Sequence, residues 1–253
     1  MHRFIISPER IDGDRVSFDR DETRHLARVL RLHPGDLVGA ADGAGREFTV
    51  RVEVLGEHAT GSVLTVATRA IESPLSITLL QGIPRGDKME SIVRATTELG
   101  VTRVCPVVAE RTIVRLDPAR WRERARRWQR VAREAAKQCG RAVVPDVEPP
   151  RSLADSLAHG ASADLQICLW EGATAPLVRM LDGLFTPPHS VRALVGPEGG
   201  LARAEVEAAR AHGFTIVGLG PRILRTETAA AALLAIVQSR FGDLVSHAPA
   251  PSS

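Results

Sequence analysis

The sequence of 253 residues predicts an α/β protein in which a small β-barrel-like module precedes a larger domain of alternating strands and helices. Up to about residue 70, short runs rich in β-branched residues are separated by turn residues, which is typical of strands. From Ser76 onwards, apolar runs alternate with helical patterns, which indicates a mostly parallel sheet with helices on both faces. The pattern changes at residues 71–76, so we expect a domain boundary near residue 73.

The first module, residues 1–72, contains five strand-like runs. DGAG at 42–45 is a hairpin signal between two of them. One amphipathic helix is predicted over residues 21–36, because Leu26, Val29 and Leu30 recur at helical spacing and Pro34-Gly35 ends the pattern. A β module of this size is typical of RNA-binding modules. The five runs are FIIS, RVSF, DLVGAAD, REFTVRVEVL and GSVLTVATRAI.

The second domain is predicted over residues 73–245, and the tail at 246–253 is expected to be frayed. Its strands and helices alternate along the chain, which favours a doubly wound sheet. The predicted strands are SITLLQGI, VTRVCPVVA, DLQICLWE, VRALVGPEGG and FTIVGLG. The predicted helices are KMESIVRATTELG, 118–139, 203–212 and about 227–240.

Two Gly-rich turns each follow a buried strand and precede a helix. The first is VGPEGG at 195–200, and the second lies within LGPRILRTETA at 219–229. Thr226 and Thr228 are candidate N-caps of an Ala-rich helix, which we expect in the core or at a subunit interface. Two such turns predict one small-molecule site where they converge, although both could be ordinary turns. Neither turn contains a lysine, which disfavours a nucleotide-phosphate site.

The composition excludes several other classes of protein. The start MHRFIISPER lacks the apolar region of a signal peptide, and no apolar run approaches the length of a membrane span. Three isolated cysteines and eight scattered histidines provide no metal-ligand spacing. We therefore expect a cytoplasmic protein with reduced thiols, no metal site and no membrane contact.

Positive charge is concentrated between residues 110 and 141, where eleven basic residues accompany four acidic ones. The whole chain carries a formal net charge of only +3, so the rest is slightly acidic. A basic stripe is typical of a protein that binds a polyanion. The alternative is a solvated helix in an Arg-rich chain, and the charge run taken alone favours that alternative.

Five segments in order resemble the bacterial 16S rRNA uracil-N3 methyltransferases (RsmE type) of the SPOUT superfamily, over nearly the whole chain. The two Gly-rich turns are the most specific of these segments. The chain departs from the family at Arg85, where lysine is usual, and at Cys139, where serine is usual, and arginine does not replace lysine neutrally at a bidentate contact. The segments are MHRFII and RHLARVLRLHPGD with DGAG, QGIPRGDKMESIVRATTELGV, EAAKQCGRAVVP, VGPEGG and LGPRILRTETA.

The resemblance implies a PUA-like RNA-binding module at residues 1–72 and a SPOUT domain at 73–245 with a C-terminal trefoil knot. It implies that S-adenosylmethionine binds bent in the knot, close to the interface of a homodimer. The implied product is N3-methyluridine in the decoding region of 16S rRNA, with the assembled small ribosomal subunit as the expected partner. The alternatives are a methyltransferase of this fold that acts on another nucleotide, a non-catalytic RNA-binding protein, and, least favoured, a phosphate-binding nucleotide enzyme.

Several residues follow as candidates for the chemistry. Arg225 is expected to stabilise negative charge on O2 or O4 of the uracil, or else to form a structural ion pair or carbonyl contact. Glu198 or Glu227 is expected to accept the N3 proton or orient the base, and Glu198 alternatively accepts backbone N–H bonds. The expected catalytic residues are therefore Arg225 and Glu198. The expected cofactor residues are Leu169, Glu171, Leu194, Val195, Gly196, Pro197, Gly199, Gly200, Leu219, Gly220, Ile223, Leu224, Thr226, Thr228 and Ala229.

Arginine suits phosphate geometry and stacks on splayed bases, so exposed arginines of both domains are expected to bind RNA. His25 is expected to be structural, and Trp121 and Trp128, seven residues apart on one helix face, are expected to pack rather than stack on bases. The expected RNA-binding residues are Arg3, Arg24, Arg28, Arg31, Arg85, Lys88, Arg111, Arg133 and Arg141.

Overall fold

The computed structural model describes residues 1–68, 72–114, 117–160 and 162–244, and the chain divides into two compact units. The first unit comprises Met1–Glu72 and Ala136–Val144, and the second comprises Ser73–Ala135 and Pro145–Ser253. The units are therefore not two successive stretches of sequence, because residues 136–144 belong to the first. The predicted strand end at 69–71 and the predicted tail at 246–253 lie outside the described residues.

The first unit is built on a six-stranded sheet in the order β1-β4-β5-β6-β3-β2. Only β1 and β4 pair in parallel, and the other neighbours are antiparallel. Alternate residues of β5 (Phe48, Val50 and Val52) face a core that also contains Phe4 and Phe18. The elements are β1 (Arg3–Ile5), β2 (Ile11–Asp12), β3 (Arg15–Ser17), α1 (Arg20–Arg24), β4 (Leu37–Ala41), β5 (Arg46–Leu55) and β6 (Ala59–Thr68).

The predicted DGAG hairpin is confirmed, since β4 pairs with β5 across it. The predicted helix is only partly correct. Helical structure begins at Arg20 but continues beyond Arg24 only as a π-helical turn to Val29, well before Pro34-Gly35. Arg31 has a positive φ of 52°, and the Leu32 N–H closes onto the Leu26 carbonyl, which ends the helix early. Val29 is consequently 67% exposed rather than part of the apolar face.

The second unit contains a parallel sheet in the order β10-β8-β7-β12-β11-β13, with β9 paired to β8. Its central strands are mostly buried, as expected for strands that are covered on both faces. The strands are β7 (Ser76–Gly82), β8 (Arg103–Val108), β9 (Asp146–Val147), β10 (Arg151–Ser152), β11 (Leu165–Leu169), β12 (Ser190–Val195) and β13 (Thr215–Val217).

Six helices accompany these strands in the described residues, and the strand–helix alternation confirms the predicted α/β class. The short helices α4 and α5 and strands β9 and β10 were not predicted, because each has too few residues to show a period. The helices are α2 (Lys88–Glu98), α3 (Pro118–Cys139), α4 (Leu153–Ala158), α5 (Leu177–Asp182), α6 (Arg203–Ala211) and α7 (Thr226–Phe241). No described helix is long and apolar enough to cross a membrane.

The Ala-rich helix α7 is buried on one side only. Ala230, Leu233, Leu234 and Val237 are at most 1% exposed, whereas the other side is partly open. Gln238 is fully buried, and its side chain accepts a hydrogen bond from Ser73 Oγ at 2.7 Å and donates to the Leu99 carbonyl at 3.0 Å. The side-chain amide of Gln238 is thereby satisfied inside the core.

Candidate functional site

A cavity of about 670 Å³ lies in the second unit, beyond the carboxyl ends of β11, β12 and β13. Ligands of open α/β sheets bind at this edge. Three segments form the wall: residues 169–173 after β11, residues 195–201, and residues 218–226 with Ala229. We call residues 196–200 the first turn and residues 218–225 the second turn. The two turns converge on one cavity, as the sequence predicted for a small-molecule site.

Nearly all the expected cofactor residues line this cavity, together with Arg225, Glu198 and Lys88. Leu194 and Thr228 do not line it. Leu194 is fully buried in the strand core, and Thr228 is exposed on α7. The lining residues from that set are Leu169, Glu171, Val195, Gly196, Pro197, Gly199, Gly200, Leu219, Gly220, Ile223, Leu224, Thr226 and Ala229.

The first turn is shaped by contacts within the protein. Gly200 has φ +69°, and a Cβ at this position would lie 2.7 Å from Glu171 Oε1. A Cβ on Gly196 would lie 3.0 Å from the Gly200 carbonyl carbon. These glycines are therefore explained first by the tight packing of the turn against itself and against the cavity wall.

A buried chain of hydrogen bonds joins β7, the first turn and α7. Thr226 Oγ1 donates to the Gly196 carbonyl at 2.6 Å and accepts from Gln81 Nε2 at 2.9 Å. Gln81 is fully buried, also donates to the Gly82 carbonyl at 2.9 Å, and pairs with Val195 across the sheet. The prediction that Thr226 or Thr228 caps α7 is wrong, because the N-cap is Arg225 and the Thr226 hydroxyl is committed to Gly196.

Further contacts brace the first turn from the side of β8. Arg111 Nη1 donates to the Gly199 carbonyl at 2.9 Å. Glu205, near the N-terminus of α6, accepts from the Glu110 N–H at 2.7 Å and from the Ala202 N–H at 2.9 Å. The segment after β8 is thereby fixed to the segment after β12.

Glu198 is committed as a hydrogen-bond acceptor. Its carboxylate accepts from the Arg85 N–H at 3.1 Å and from Lys88 Nζ at 2.9 Å. Partial burial alone would raise the pKa of Glu198, but the bonds from Lys88 and Arg85 outweigh it and leave the pKa below its usual value. A carboxylate with a lowered pKa and occupied oxygens is a weak proton acceptor. The geometry supports the alternative in which Glu198 accepts backbone N–H bonds.

Arg225 differs from Glu198 because its charged group is not bound by another described residue. It is exposed, it lines the cavity, and its guanidinium makes no hydrogen bond or ion pair with another described residue. The structural ion pair considered as an alternative is therefore not seen within the described residues. Glu227 lies outside the cavity wall, and its Oε2 is buried without a partner among the described residues.

The expected RNA-binding residues divide into exposed and engaged side chains. Arg141 is 7% exposed and forms an ion pair with Glu72 at 2.8 Å, and Arg3 binds Glu47 and the Gly140 carbonyl, so both have structural partners within the first unit. Arg133 is half-buried and Lys88 is bound to Glu198. Arg24 and Arg111 are exposed but also engaged, with Asp21 at 3.5 Å and with the Gly199 carbonyl at 2.9 Å. The other exposed members are Arg28, Arg31 and Arg85.

Structural or packing roles were expected for His25, Trp121 and Trp128. Trp128 is 3% exposed and Trp121 is half-buried, in keeping with packing roles. His25 contacts the Phe4 ring edge-on, with ring centroids 5.8 Å apart, and its Nδ1 lies 3.4 Å from Lys137 Nζ. No cluster of potential metal ligands occurs among the described residues.

Sequence reasoning missed several lining residues. The clearest is Trp170, whose half-buried side chain directly follows β11 and whose backbone N–H donates to the Val217 carbonyl. Its place at the carboxyl end of a predicted strand, beside Glu171, was the available signal. The other missed residues are Ala173, Leu201, Gly218, Pro221 and Arg222.

Two family models match this chain. A model described as an RNA methyltransferase domain matches residues 71–238, and one described as an RNA methyltransferase PUA domain matches residues 18–59. Ribosomal RNA small subunit methyltransferase E of Synechocystis sp. is 33% identical over 239 residues, covering 94% of this chain and 77% of that protein. The Bacillus subtilis protein of the same name is 31% identical over 238 residues, covering 90% and 93%.

Solved structures of similar proteins cover nearly the whole chain. The ribosomal RNA small subunit methyltransferase E of Neisseria gonorrhoeae, bound to S-adenosyl methionine, has a TM-score of 0.87 and 36% identity, covering 96% of this chain and 99% of that one. A putative methyltransferase of Legionella pneumophila, in complex with bound S-adenosylmethionine, has a TM-score of 0.87 and 32% identity, covering 96% and 98%.

Proposed function

The chain belongs to the ribosomal RNA small subunit methyltransferase E family, and we propose that it methylates N3 of a uridine in the decoding region of 16S rRNA. The observation that carries the proposal is the convergence of both Gly-rich turns on one cavity whose wall includes Arg225, a guanidinium with no partner among the described residues. A volume of about 670 Å³ lies within the usual range for small-molecule sites.

The cofactor is S-adenosylmethionine, which two similar solved proteins bind. The wall fits this molecule because it combines backbone groups of two turns, apolar side chains and one open carboxylate. Leu219, Leu224 and Val195 suit the faces of an adenine, and Glu171 suits hydroxyl or ammonium groups. When bound, the cofactor supplies an electrophilic methyl group on a sulfonium. The trefoil knot that the resemblance implies stays a prediction.

Arg225 is the catalytic residue of the proposal. Uracil N3 carries a proton, and the transfer of this proton to solvent places negative charge on N3, O2 and O4. A guanidinium offers donors in a fixed fork that can stabilise this charge as it develops. Arg225 is the last residue of the second turn and the N-cap of α7, and it has no competing partner among the described residues, so its donors are available to the base.

Glu198 is a positioning residue in this proposal. It holds the Lys88 ammonium and the Arg85 backbone at the edge of the first turn. Lys88 then neutralises the carboxylate, and the exposed Arg85 side chain stays available for the RNA backbone. The exposed arginines of the first unit, Arg24, Arg28 and Arg31, are proposed to contact the same RNA.

We also propose that the enzyme is a cytoplasmic homodimer acting on the assembled small subunit. The partly open side of α7 supports the dimer, because Ala229, Ala232 and Ile236 are half-buried there while the opposite side is fully buried. An apolar helix face beside the cavity suits a second copy of the chain.

The test is methyl transfer from labelled S-adenosylmethionine to 30S subunits lacking N3-methyluridine, with mass mapping of the product. Arg225→Ala is measured beside Arg210→Ala, an exposed arginine outside the cavity wall. Loss of one charge-stabilising donor typically lowers kcat by roughly 100- to 1000-fold, and we expect this for Arg225→Ala with cofactor affinity retained.

The other possible outcomes of this experiment distinguish the alternative functions. Methylation of a different nucleotide would leave the enzyme class intact and overturn the assignment to N3 of uridine. Cofactor binding without transfer to any rRNA would point to another substrate, and RNA binding without cofactor binding would indicate a non-catalytic RNA-binding protein. Full activity of Arg225→Ala would remove Arg225 from the chemistry.

A further inference from the structure

Helix α3 presents a row of arginines that the cavity does not use. Arg122, Arg126 and Arg130 are spaced four residues apart and are all exposed. Residues at i, i+4 and i+8 lie on one side of a helix and span about 12 Å along its axis. We call these three residues the arginine row.

The arginines of the row have no structural partner among the described residues. None forms an ion pair or a side-chain hydrogen bond with another described residue, whereas Arg127 binds Glu90 and lies 3.6 Å from Asp87. Arg120, at the start of the helix, pairs with Asp117. The helix therefore contains both paired arginines with structural contacts and a separate unpaired row.

The opposite side of α3 holds the helix in the second unit. Ala125, Trp128 and Ala132 are at most 6% exposed. The arginine row therefore points away from the packed side, and its members cannot form contacts with the core beneath the helix. Three cations without a partner among the described residues, along one exposed helix side, suit a regularly spaced polyanion.

We propose that the arginine row binds the sugar-phosphate backbone of the RNA substrate, away from the nucleotide that is methylated. The inference rests on the proposed function for the identity of the polyanion. Arginine suits phosphate because its fork matches the phosphate oxygens. Base stacking is not the mode of binding, because Trp128 is buried and Trp121 is half-buried on the packed side. The row therefore adds affinity without reading sequence.

The experiment compares the wild type with Arg122→Gln/Arg126→Gln/Arg130→Gln. The control triple variant, Arg151→Gln/Arg179→Gln/Arg210→Gln, removes the same charge from three other exposed positions. The probes are a labelled RNA hairpin of unrelated sequence and intact 30S subunits, titrated between low and moderate salt. We expect the row variant to bind the hairpin at least tenfold more weakly. The slope of the logarithm of the binding constant against the logarithm of the salt concentration, called the salt slope, should fall in magnitude by about two to three.

The kinetic readout separates this inference from the proposed function. For the row variant we expect a raised KM for 30S subunits, with kcat at saturating substrate and S-adenosylmethionine affinity unchanged. Equal losses in the two triple variants, or an unchanged salt slope, would overturn the arginine row as an RNA site. Weaker binding to 30S subunits alone would also overturn it, in favour of a contact with ribosomal protein. A wild type that binds the hairpin but transfers no methyl group would contradict the proposed function and leave the row intact.

Discussion

The first and second turns face the same cavity but are built differently. The first turn is tied to three other segments by hydrogen bonds, through Thr226, Arg111 and the Arg85 N–H that binds Glu198. The second turn is attached mainly at Gly218, which exchanges backbone hydrogen bonds with Ala175 and Leu177. Residues 219–224 form no hydrogen bond with other described residues, and Ile223 is 87% exposed.

The difference indicates that the two turns have different roles in ligand binding. A turn fixed by buried hydrogen bonds and backbone packing can hold a ligand in one position without losing conformational entropy. A turn with free side chains can close on the ligand or on a partner. We therefore expect the first turn to determine where the cofactor lies. We expect the second turn to supply Arg225 and to cover the bound cofactor.

The largest expected effect comes from a glycine beneath the first turn. A Cβ on Gly82 would lie 2.4 Å from Pro197 N and 2.8 Å from the Gly196 carbonyl carbon, so the backbone of the turn would have to move. Gly82→Ala should lower the free energy of unfolding by about 2 to 4 kcal/mol and abolish S-adenosylmethionine binding. Chemical denaturation and calorimetric titration measure both quantities.

Gly218→Ala in the second turn is the matched control. A Cβ there would meet the Ala173 carbonyl oxygen at 3.5 Å, an ordinary contact distance. We expect a change of less than about 1 kcal/mol in the free energy of unfolding and little loss of cofactor affinity. Equal effects of the two substitutions would contradict the structural contrast between the turns.

The next effect concerns the hydroxyl that joins the first turn to α7. Thr226→Val keeps the shape of the side chain but removes the donor to the Gly196 carbonyl and one of the two acceptors of Gln81 Nε2. Unpaired buried groups cost about 1 to 3 kcal/mol, which should appear as a lower melting temperature and weaker cofactor binding.

Thr226→Ser restores the hydroxyl and should recover most of the loss, and Thr228→Val, at an exposed position of α7, should be nearly silent. If Thr226→Val bound the cofactor as tightly as the wild type, the hydrogen-bonded chain would have no role in shaping the site.

The same contrast explains what the sequence could predict. Apolar runs, Gly-rich turns and helical periods are local signals, and they located β7, β11, β12, α6, α7 and both turns. The early end of the first helix was missed, because Arg31 adopts a left-handed conformation that an arginine rarely takes. The place of residues 136–144 in the first unit could not be predicted either, since that assignment depends on tertiary contacts.

Within the site, the residue types were predictable but their partners were not. The turns pointed to Glu198, Thr226 and Arg225 as candidates. Only the three-dimensional arrangement shows that Glu198 is bound by Lys88, 110 positions earlier in the sequence, and that the Thr226 hydroxyl reaches Gly196 instead of capping its own helix. Trp170 was missed because its strand suggested core packing rather than a cavity wall.

A smaller effect is expected from the exposed tip of the second turn. Ile223 is 87% exposed, so Ile223→Asn should change the free energy of unfolding by less than about 0.5 kcal/mol. If the second turn covers the bound cofactor, Ile223 gains contact on binding, and the variant should bind S-adenosylmethionine roughly fivefold more weakly. Unchanged cofactor affinity would show that this tip does not cover the cofactor.

The smallest effect is a pH dependence at the edge of the first turn. Because folding lowers the pKa of Glu198 from its usual value of about 4.5, this carboxylate stabilises the protein above that pH, and the stabilisation is lost as the pH falls through the lowered pKa. Glu198→Gln should therefore melt at a lower temperature than the wild type at pH 7, with the gap closing below about pH 4.5. The pair with Lys88 is partly exposed, so we expect a contribution of no more than about 1 kcal/mol. Lys88→Gln should reduce the same gap, whereas a gap that persisted unchanged into acid would show that Glu198 acts through its shape and not through its charge.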